Sequence, residues 1–261
     1  MLYIIFFLVC FLASVIGAIC GIGGGVIIKP VLDAFGVMEV STINFLSGCT
    51  VLAMTTYSVV KSRLGGSSHV EAKTCLPLAL GAAAGGLAGK ELFAYVKSLS
   101  PDPNRVGAVQ AACLMVVTFG TLIYTIYKSK VKTYRIENRF VCVFIGLFLG
   151  LLSSFLGIGG GPINLVVLFF FFSMNTKAAA ENSLYIIFFS QAASFLSSLI
   201  TGSVPQFEIQ VLVLMAAGGI AGGIFGRSVN KKIEEKTVDK LFIGLMVVII
   251  LINLYNVLKF M

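Results

Sequence analysis

Gly21-Ile22-Gly23-Gly24-Gly25 and Gly157-Ile158-Gly159-Gly160-Gly161 are one pentapeptide used twice, 136 positions apart in a chain of 261 residues. Both copies lie in apolar surroundings. Four glycines in five residues would ruin a soluble helix, since each costs about 1 kcal/mol against alanine. Inside a bilayer the break means more. Backbone that leaves a helix there must be buried in protein or line a cavity, because lipid cannot satisfy its N–H and C=O groups. The two copies therefore read as broken membrane segments that meet, with the freed backbone forming a binding site.

Composition supports a membrane setting. Hydrophobic residues make up 58% of the chain and charged residues 11%, whereas a soluble domain is about a quarter charged. Runs without charge extend over Leu2 to Ile28, Val106 to Tyr127, Phe140 to Met174 and Leu241 to Leu258. Several reach the roughly 20 residues a spanning helix needs. These features argue against a soluble enzyme. A net charge of +8 on a soluble protein would point to nucleic acid. Here the basic residues cluster in short loops, so they report topology, and no nucleic-acid partner is expected. Cys10, Cys20, Cys49, Cys75, Cys113 and Cys142 form no CxxC pair and read as small apolar fillers at helix contacts. Met1 to Ile19 lacks the basic start and the cleavage site of a signal peptide and is expected to stay in the mature protein.

The halves can be laid on each other. Met38 falls opposite Met174, and Ser47 opposite Ser183. One residue out of register, Gly81, Gly85, Gly86, Gly89 and Lys90 fall opposite Gly218, Gly222, Gly223, Gly226 and Arg227. This gives a first membrane repeat over 1–127, a cytoplasmic linker over 128–139 and a second repeat over 140–261. Each repeat reads as a broken segment followed by three helices. The predicted elements are 2–20, 26–37, 42–62, 73–96 and 105–127, then 140–156, 162–173, 178–200, 207–228 and 240–258. The arm after each glycine stretch has about 12 residues, roughly 18 Å of helix, too short for a 30 Å hydrocarbon core. It should turn back or meet a partner at mid-depth.

Basic loops set the orientation. Lys61, Arg63 and Lys73, the run from Lys128 to Arg139, and the run from Arg227 to Lys240 mark one side as cytoplasmic, with Lys97 and Arg105 as mild exceptions. Counting crossings then puts both ends of 2–37 outside and both ends of 140–173 inside. The expected fold class is an all-α polytopic membrane protein. It is built of two inverted-topology repeats, each a broken, re-entrant helical hairpin plus three transmembrane helices. The glycines spaced by four in the third helix of each half read as small-xxx-small packing faces.

Two GIGGG stretches, each followed by a short apolar arm, and a later glycine-rich helix at matching spacing make the chain resemble the TauE/SafE sulfite exporter family, the TSUP permeases. The likeness covers essentially the whole chain. It implies a secondary transporter of small sulfur-containing anions such as sulfite or sulfonates, resident in the plasma or inner membrane as a multi-pass protein. Lys29-Pro30 has Leu165-Val166 opposite it, so any role for Lys29 rests on physics alone.

The site chemistry follows from the breaks. Each short arm starts right after its glycines, so unpaired N–H groups and the positive dipole end point toward mid-membrane. Two such ends approaching from opposite faces make an anion site. Gly23, Gly24, Gly25, Gly159, Gly160 and Gly161 are the candidate backbone donors, with Pro162 suited to the first helical position. The bland alternative is that the glycines only permit a tight crossing. Lys29, one turn past Gly25, is a candidate countercharge for the substrate, or a partner for Asp33. Ser47, Asn164, Asn182, Ser190 and Gln191 are the favoured side-chain ligands among the polar residues of the neighbouring helices. For these the alternative is helix–helix hydrogen bonding. His69 lies in the polar loop Gly65 to Glu71 and reads as a solvated loop residue.

No catalytic residues, metal ligands or cofactor are expected. GxxxxGK[ST], HExxH and GxSxG are all lacking. The expected activity is export of a small anion by alternating access around the paired glycine breaks. Uptake of the same or other organic anions is the near alternative. A sulfur-relay protein using Cys20 and a channel are alternatives of other classes. Lipid and the anion are the expected partners, and the sequence leaves room for proton coupling and for a homodimer.

Overall fold

The structure, a computed structural model, describes residues 2–64, 72–99 and 103–260. His69 and its loop lie outside the described residues. Ten α-helices account for most of these: α1 (Leu2–Cys20), α2 (Gly25–Phe35), α3 (Val40–Leu64), α4 (Ala72–Leu99), α5 (Pro103–Tyr127), α6 (Arg139–Phe155), α7 (Pro162–Phe172), α8 (Thr176–Ile200), α9 (Ile209–Lys232) and α10 (Glu235–Phe260). No strand occurs among the described residues. Six of the helices, α1, α3, α5, α8, α9 and α10, are long and apolar enough to cross a membrane. Large apolar side chains stay exposed on their outer faces, among them Leu12, Val116, Phe119, Phe225 and Leu251, as lipid-facing positions require. The chain is an all-α, multi-pass membrane protein.

The short arms are α2 and α7, each 11 residues long. At 1.5 Å per residue each spans about 16 Å. Each turns back to the end of the molecule at which its hairpin began. Tyr3 of α1 and Val37 and Met38 beyond α2 line a common groove with Glu208 at the start of α9. At the opposite end, the linker preceding α6 is tied to the end of α7: the Tyr134 and Ile136 amides donate to the carbonyls of Phe170 and Phe171. The α2 arm stops at Gly36, whose left-handed φ of 65° caps the helix.

The halves interlock rather than stand side by side. Helix α9 runs alongside α1 in the same direction: Gly218 faces the Phe7 carbonyl, Gly222 that of Phe11 and Gly226 that of Val15. Helix α4 treats α6 in the same way, with Gly81, Gly85 and Gly89 against the carbonyls of Val143, Leu147 and Leu151. At Gly222 or Gly85 a β-carbon would overlap the facing carbonyl oxygen, so the glycines set the helix separation. The counterparts α3 and α8 cross in opposite directions: Phe45 stacks on Phe195 at a centroid distance of 6.2 Å, while Ser62 bonds Glu181 at the other end. Helices α5 and α10 are likewise antiparallel, with Gly107 beside Phe260 and Lys128 paired to Asp239 at 2.6 Å.

Candidate functional site

The two glycine turns meet halfway along α3 and α8. Gly23 and Gly159 both pack on Val51, and Gly23 and Gly160 both pack on Ile187. Gly25 touches the Ile158 carbonyl across the crossing. The turns share a conformation: φ is 78° at Gly21 and 74° at Gly23, against 66° at Gly157 and 68° at Gly159. Such left-handed positions are open to glycine at no steric cost. They diverge one residue later, where Gly160 has φ 142° and Gly24 has −74°. Helices α2 and α7 start from these turns with no side-chain cap, α7 with Pro162 in its first turn. Their first-turn amides are the donors a helix leaves unpaired.

A cavity of about 510 Å³ descends to the second turn from the end of the molecule that carries Lys97 and Pro205. Gly48, Gly157, Gly159, Ser153, Asn44 and Gln191 are among the residues at its wall. Gln191 packs against Gly159, and the Asn44 amide packs against Gly157. Both the nitrogen and the oxygen of that amide are buried without a hydrogen-bond partner among the described residues. A buried amide left unpaired costs about 1–3 kcal/mol, which a ligand or water in the cavity would offset. Lys90, Lys97 and Glu91 line the same cavity together with Phe45, Phe93 and Phe195. Lys90 donates to Ser203 at 2.7 Å.

At the opposite, strongly basic end lies a second cavity of only about 10 Å³, lined by Ser58, Val59, Ser62, Arg63, Glu181, Leu184, Tyr185 and Arg227. This is room for about one water. The two cavities are built from equivalent positions. Ser194, Phe195, Ser198, Phe45, Gly48 and Cys49 of the first stand 136 positions from Ser58, Val59, Ser62, Glu181, Leu184 and Tyr185 of the second. Lys90 and Arg227 correspond at 137.

The structure brings the glycines of the two turns together and sets Gly159 and Gln191 at the large cavity. It places the other expected ligands elsewhere. Lys29 is buried and spends its ammonium on Asp33, 2.6 Å away on the same helix. That helix is held to α10 by Asn256, which donates to the Pro30 carbonyl. Asn182 donates its side-chain amide to the Ala178 carbonyl, and its backbone carbonyl accepts from Cys75 on α4. Ser190 faces Gly86 on α4. Ser47 is fully buried, and its hydroxyl has no partner among the described residues. Asn164 is buried in the first turn of α7, and its side-chain oxygen has no partner among the described residues. Cys20 is buried in the core and does not line the cavity. Asn44, Gly157, Ser153 and the lysines of α4 went unselected by sequence reasoning. The register of Lys90 on Arg227 pointed to that lysine, Gly157 opens the second pentapeptide, and Asn44 belongs to the polar set of the helix after the first short arm.

Compared with known proteins, residues 6–252 match the family model described as Sulfite exporter TauE/SafE. Neither the curated proteins nor the solved structures gave a match. The match spans nearly the whole chain and takes in both glycine turns, both cavities, helices α2 to α9 and most of α1 and α10. The chain belongs to the TauE/SafE sulfite exporter family, membrane transporters of the sulfite-exporter type.

Proposed function

We propose that the protein is a secondary transporter that exports small sulfur-containing anions, sulfite or short sulfonates, by alternating access. The observation that carries this reading is the pair of equivalent cavities, one of about 510 Å³ and the other of about 10 Å³. A two-fold-repeated transporter exchanges such states by making each half adopt the other's arrangement. By the basic-loop rule the end with Arg63, Arg227 and the 128–139 linker is cytoplasmic, so the conformation seen is open outward and closed inward. The halves then approach the membrane with inverted topology, one glycine turn arriving from each face.

The site chemistry supports an anion. The turn amides, Asn44, Gln191 and the hydroxyls of Ser153 and Ser194 supply donors near the floor, and Lys90 and Lys97 outnumber Glu91 at the wall. Backbone N–H groups at helix starts suit oxyanions. The aromatic wall of Phe45, Phe93 and Phe195 favours a sulfonate with a short carbon tail, since ligand pockets combine apolar walls with a few placed polar groups. Lys29 acts on this site through Asp33 and the position of α2, rather than by touching the substrate.

The test is flux into proteoliposomes holding the purified chain, with sulfite, sulfoacetate, taurine and chloride, with and without a pH gradient. Saturable sulfite or sulfoacetate flux, well above chloride, is expected. Flux of none of these anions would sink the reading, and fast unsaturable chloride flux would favour a channel.

A further inference from the structure

The small cavity at the basic end is lined by two arginines, Arg63 and Arg227, and one carboxylate, Glu181. Glu181 of α8 accepts from Ser62 of α3 and stands 3.8 Å from the Arg227 guanidinium of α9. Arg227 donates through Nη1 to the Ser58 carbonyl at 2.7 Å, while its Nε is buried without a partner among the described residues. Arg63 of α3 donates to the Tyr185 hydroxyl at 2.9 Å and lies over the same ring, 5.4 Å from its centroid. The pair between Arg227 and Glu181 is therefore loose, and the planar fork of the guanidinium is only part-used.

The equivalent cavity at the other end shows what this place becomes when open. There the position of Arg227 is held by Lys90, which lines open space. The position of Glu181 is held by Phe45, so that end has no internal carboxylate at this point. Glu91 lines the wall of that cavity, but only the basic end sets a carboxylate at the α8 position facing the guanidinium.

We propose that Arg227, with Arg63 beside it, is the anion-receiving site of the inward-facing vestibule, and that the Glu181 carboxylate occupies this site as a stand-in for substrate while the inner path is closed. A tetrahedral or pyramidal sulfur oxyanion presents two oxygens to a guanidinium fork as a carboxylate does. Its arrival displaces Glu181 from Arg227 and separates α8 from α3 and α9, and no bond is made or broken. The inference rests on the transport reading above and adds to it the inner binding residues and the group that holds the inner path shut.

The experiment uses the full chain in inverted and right-side-out membrane vesicles, so that sulfite KM is read from each face separately. Arg227→Gln should raise the inner-face KM about tenfold or more, the scale of one lost charged hydrogen bond, and leave the outer-face KM within about twofold. Arg227→Lys should recover only part of the loss, because a point charge replaces a fork. In a chain carrying Ser58→Cys, labelling of that thiol by a membrane-impermeant reagent should rise several-fold when Glu181→Gln is added. Sulfite should produce the same rise without Glu181→Gln. An equal KM change at both faces would show a merely structural role for Arg227 and overturn the proposal. Unchanged labelling with Glu181→Gln would overturn it too. Because labelling needs no flux, the gate can fail while transport stands, and transport can fail while the gate is still read.

Discussion

The carbonyl oxygen of Ile158 stands where the β-carbon of any L-residue at position 25 would begin. The two glycine turns are therefore in backbone contact, and the contact is unequal. At Gly161 an added β-carbon would meet only the far end of the Ile158 side chain, at 2.9 Å. Gly25→Ala must push one turn off the other, an overpacking that costs about 1–3 kcal/mol. Gly161→Ala asks only for a rotamer change. Melting in detergent should fall clearly for the first and little for the second, with sulfite flux lost only in Gly25→Ala. Equal behaviour of the two would remove the crossing as the mechanistic centre.

The seam between α1 and α9 gives a second contrast. A β-carbon at Gly222 overlaps the Phe11 carbonyl, whereas nothing lies within 4 Å of one at Gly244 on α10. Gly222→Ala should destabilise, with the helices forced apart along the seam. Gly244→Ala should be neutral, or stabilising by about 0.5–1 kcal/mol through helix propensity. Thermal unfolding of the two variants side by side measures the difference.

Asn44 and Gln191 test the floor of the open cavity. Each side chain meets a glycine of the second turn and lines the cavity. Asn44→Ala and Gln191→Ala should each raise the outer-face KM for sulfite by about tenfold, the scale of a lost hydrogen bond to a charged ligand. Melting temperature should hold for Asn44→Ala, because the Asn44 amide has no partner to lose among the described residues. Unchanged KM in both variants would place the substrate elsewhere.

Lys29 and Asp33 form the deepest ion pair, each side chain 3% exposed. Lys29→Met leaves the Asp33 carboxylate buried without its cation, which costs about 3–5 kcal/mol. Lys29→Met with Asp33→Leu removes both charges and should restore most of the stability. If the double variant also recovers sulfite flux, Lys29 serves the placement of α2. If it is stable but has no flux, Lys29 meets the substrate directly.

Much of this architecture was legible from residue order. The repeated pentapeptide gave both helix breaks, and arm length gave both returns, because a helix of 11 residues cannot cross a bilayer. Glycines spaced by four gave the α4 and α9 seams. Even the Lys29–Asp33 pair was readable from its spacing of four. The choice of ligands was harder, for a physical reason. In a soluble helix polarity separates core from solvent, but in a membrane the lipid face and the packed face are both apolar. Nothing in the order of residues says that Ser190 turns to Gly86 while Gln191, one position on, turns to the cavity. Nor does it say that the Asn182 amide bonds the Ala178 carbonyl of its own helix. The collapsed cavity was invisible because it joins α3, α8 and α9 across more than 160 residues.

The seams between the halves also bear on how the chain is made. Helix α1 leaves the ribosome well before α9, so the carbonyls of Phe7, Phe11 and Val15 wait for Gly218, Gly222 and Gly226, some 210 positions later. The α2 start, likewise, is sealed only when Ile158 arrives. The opening hairpin is therefore enclosed only after most of the chain has been made. Until the second repeat is inserted, the hairpin's glycine turn lacks the protein partners, Ile158, Ala180 and Ile187, that enclose it in the finished fold.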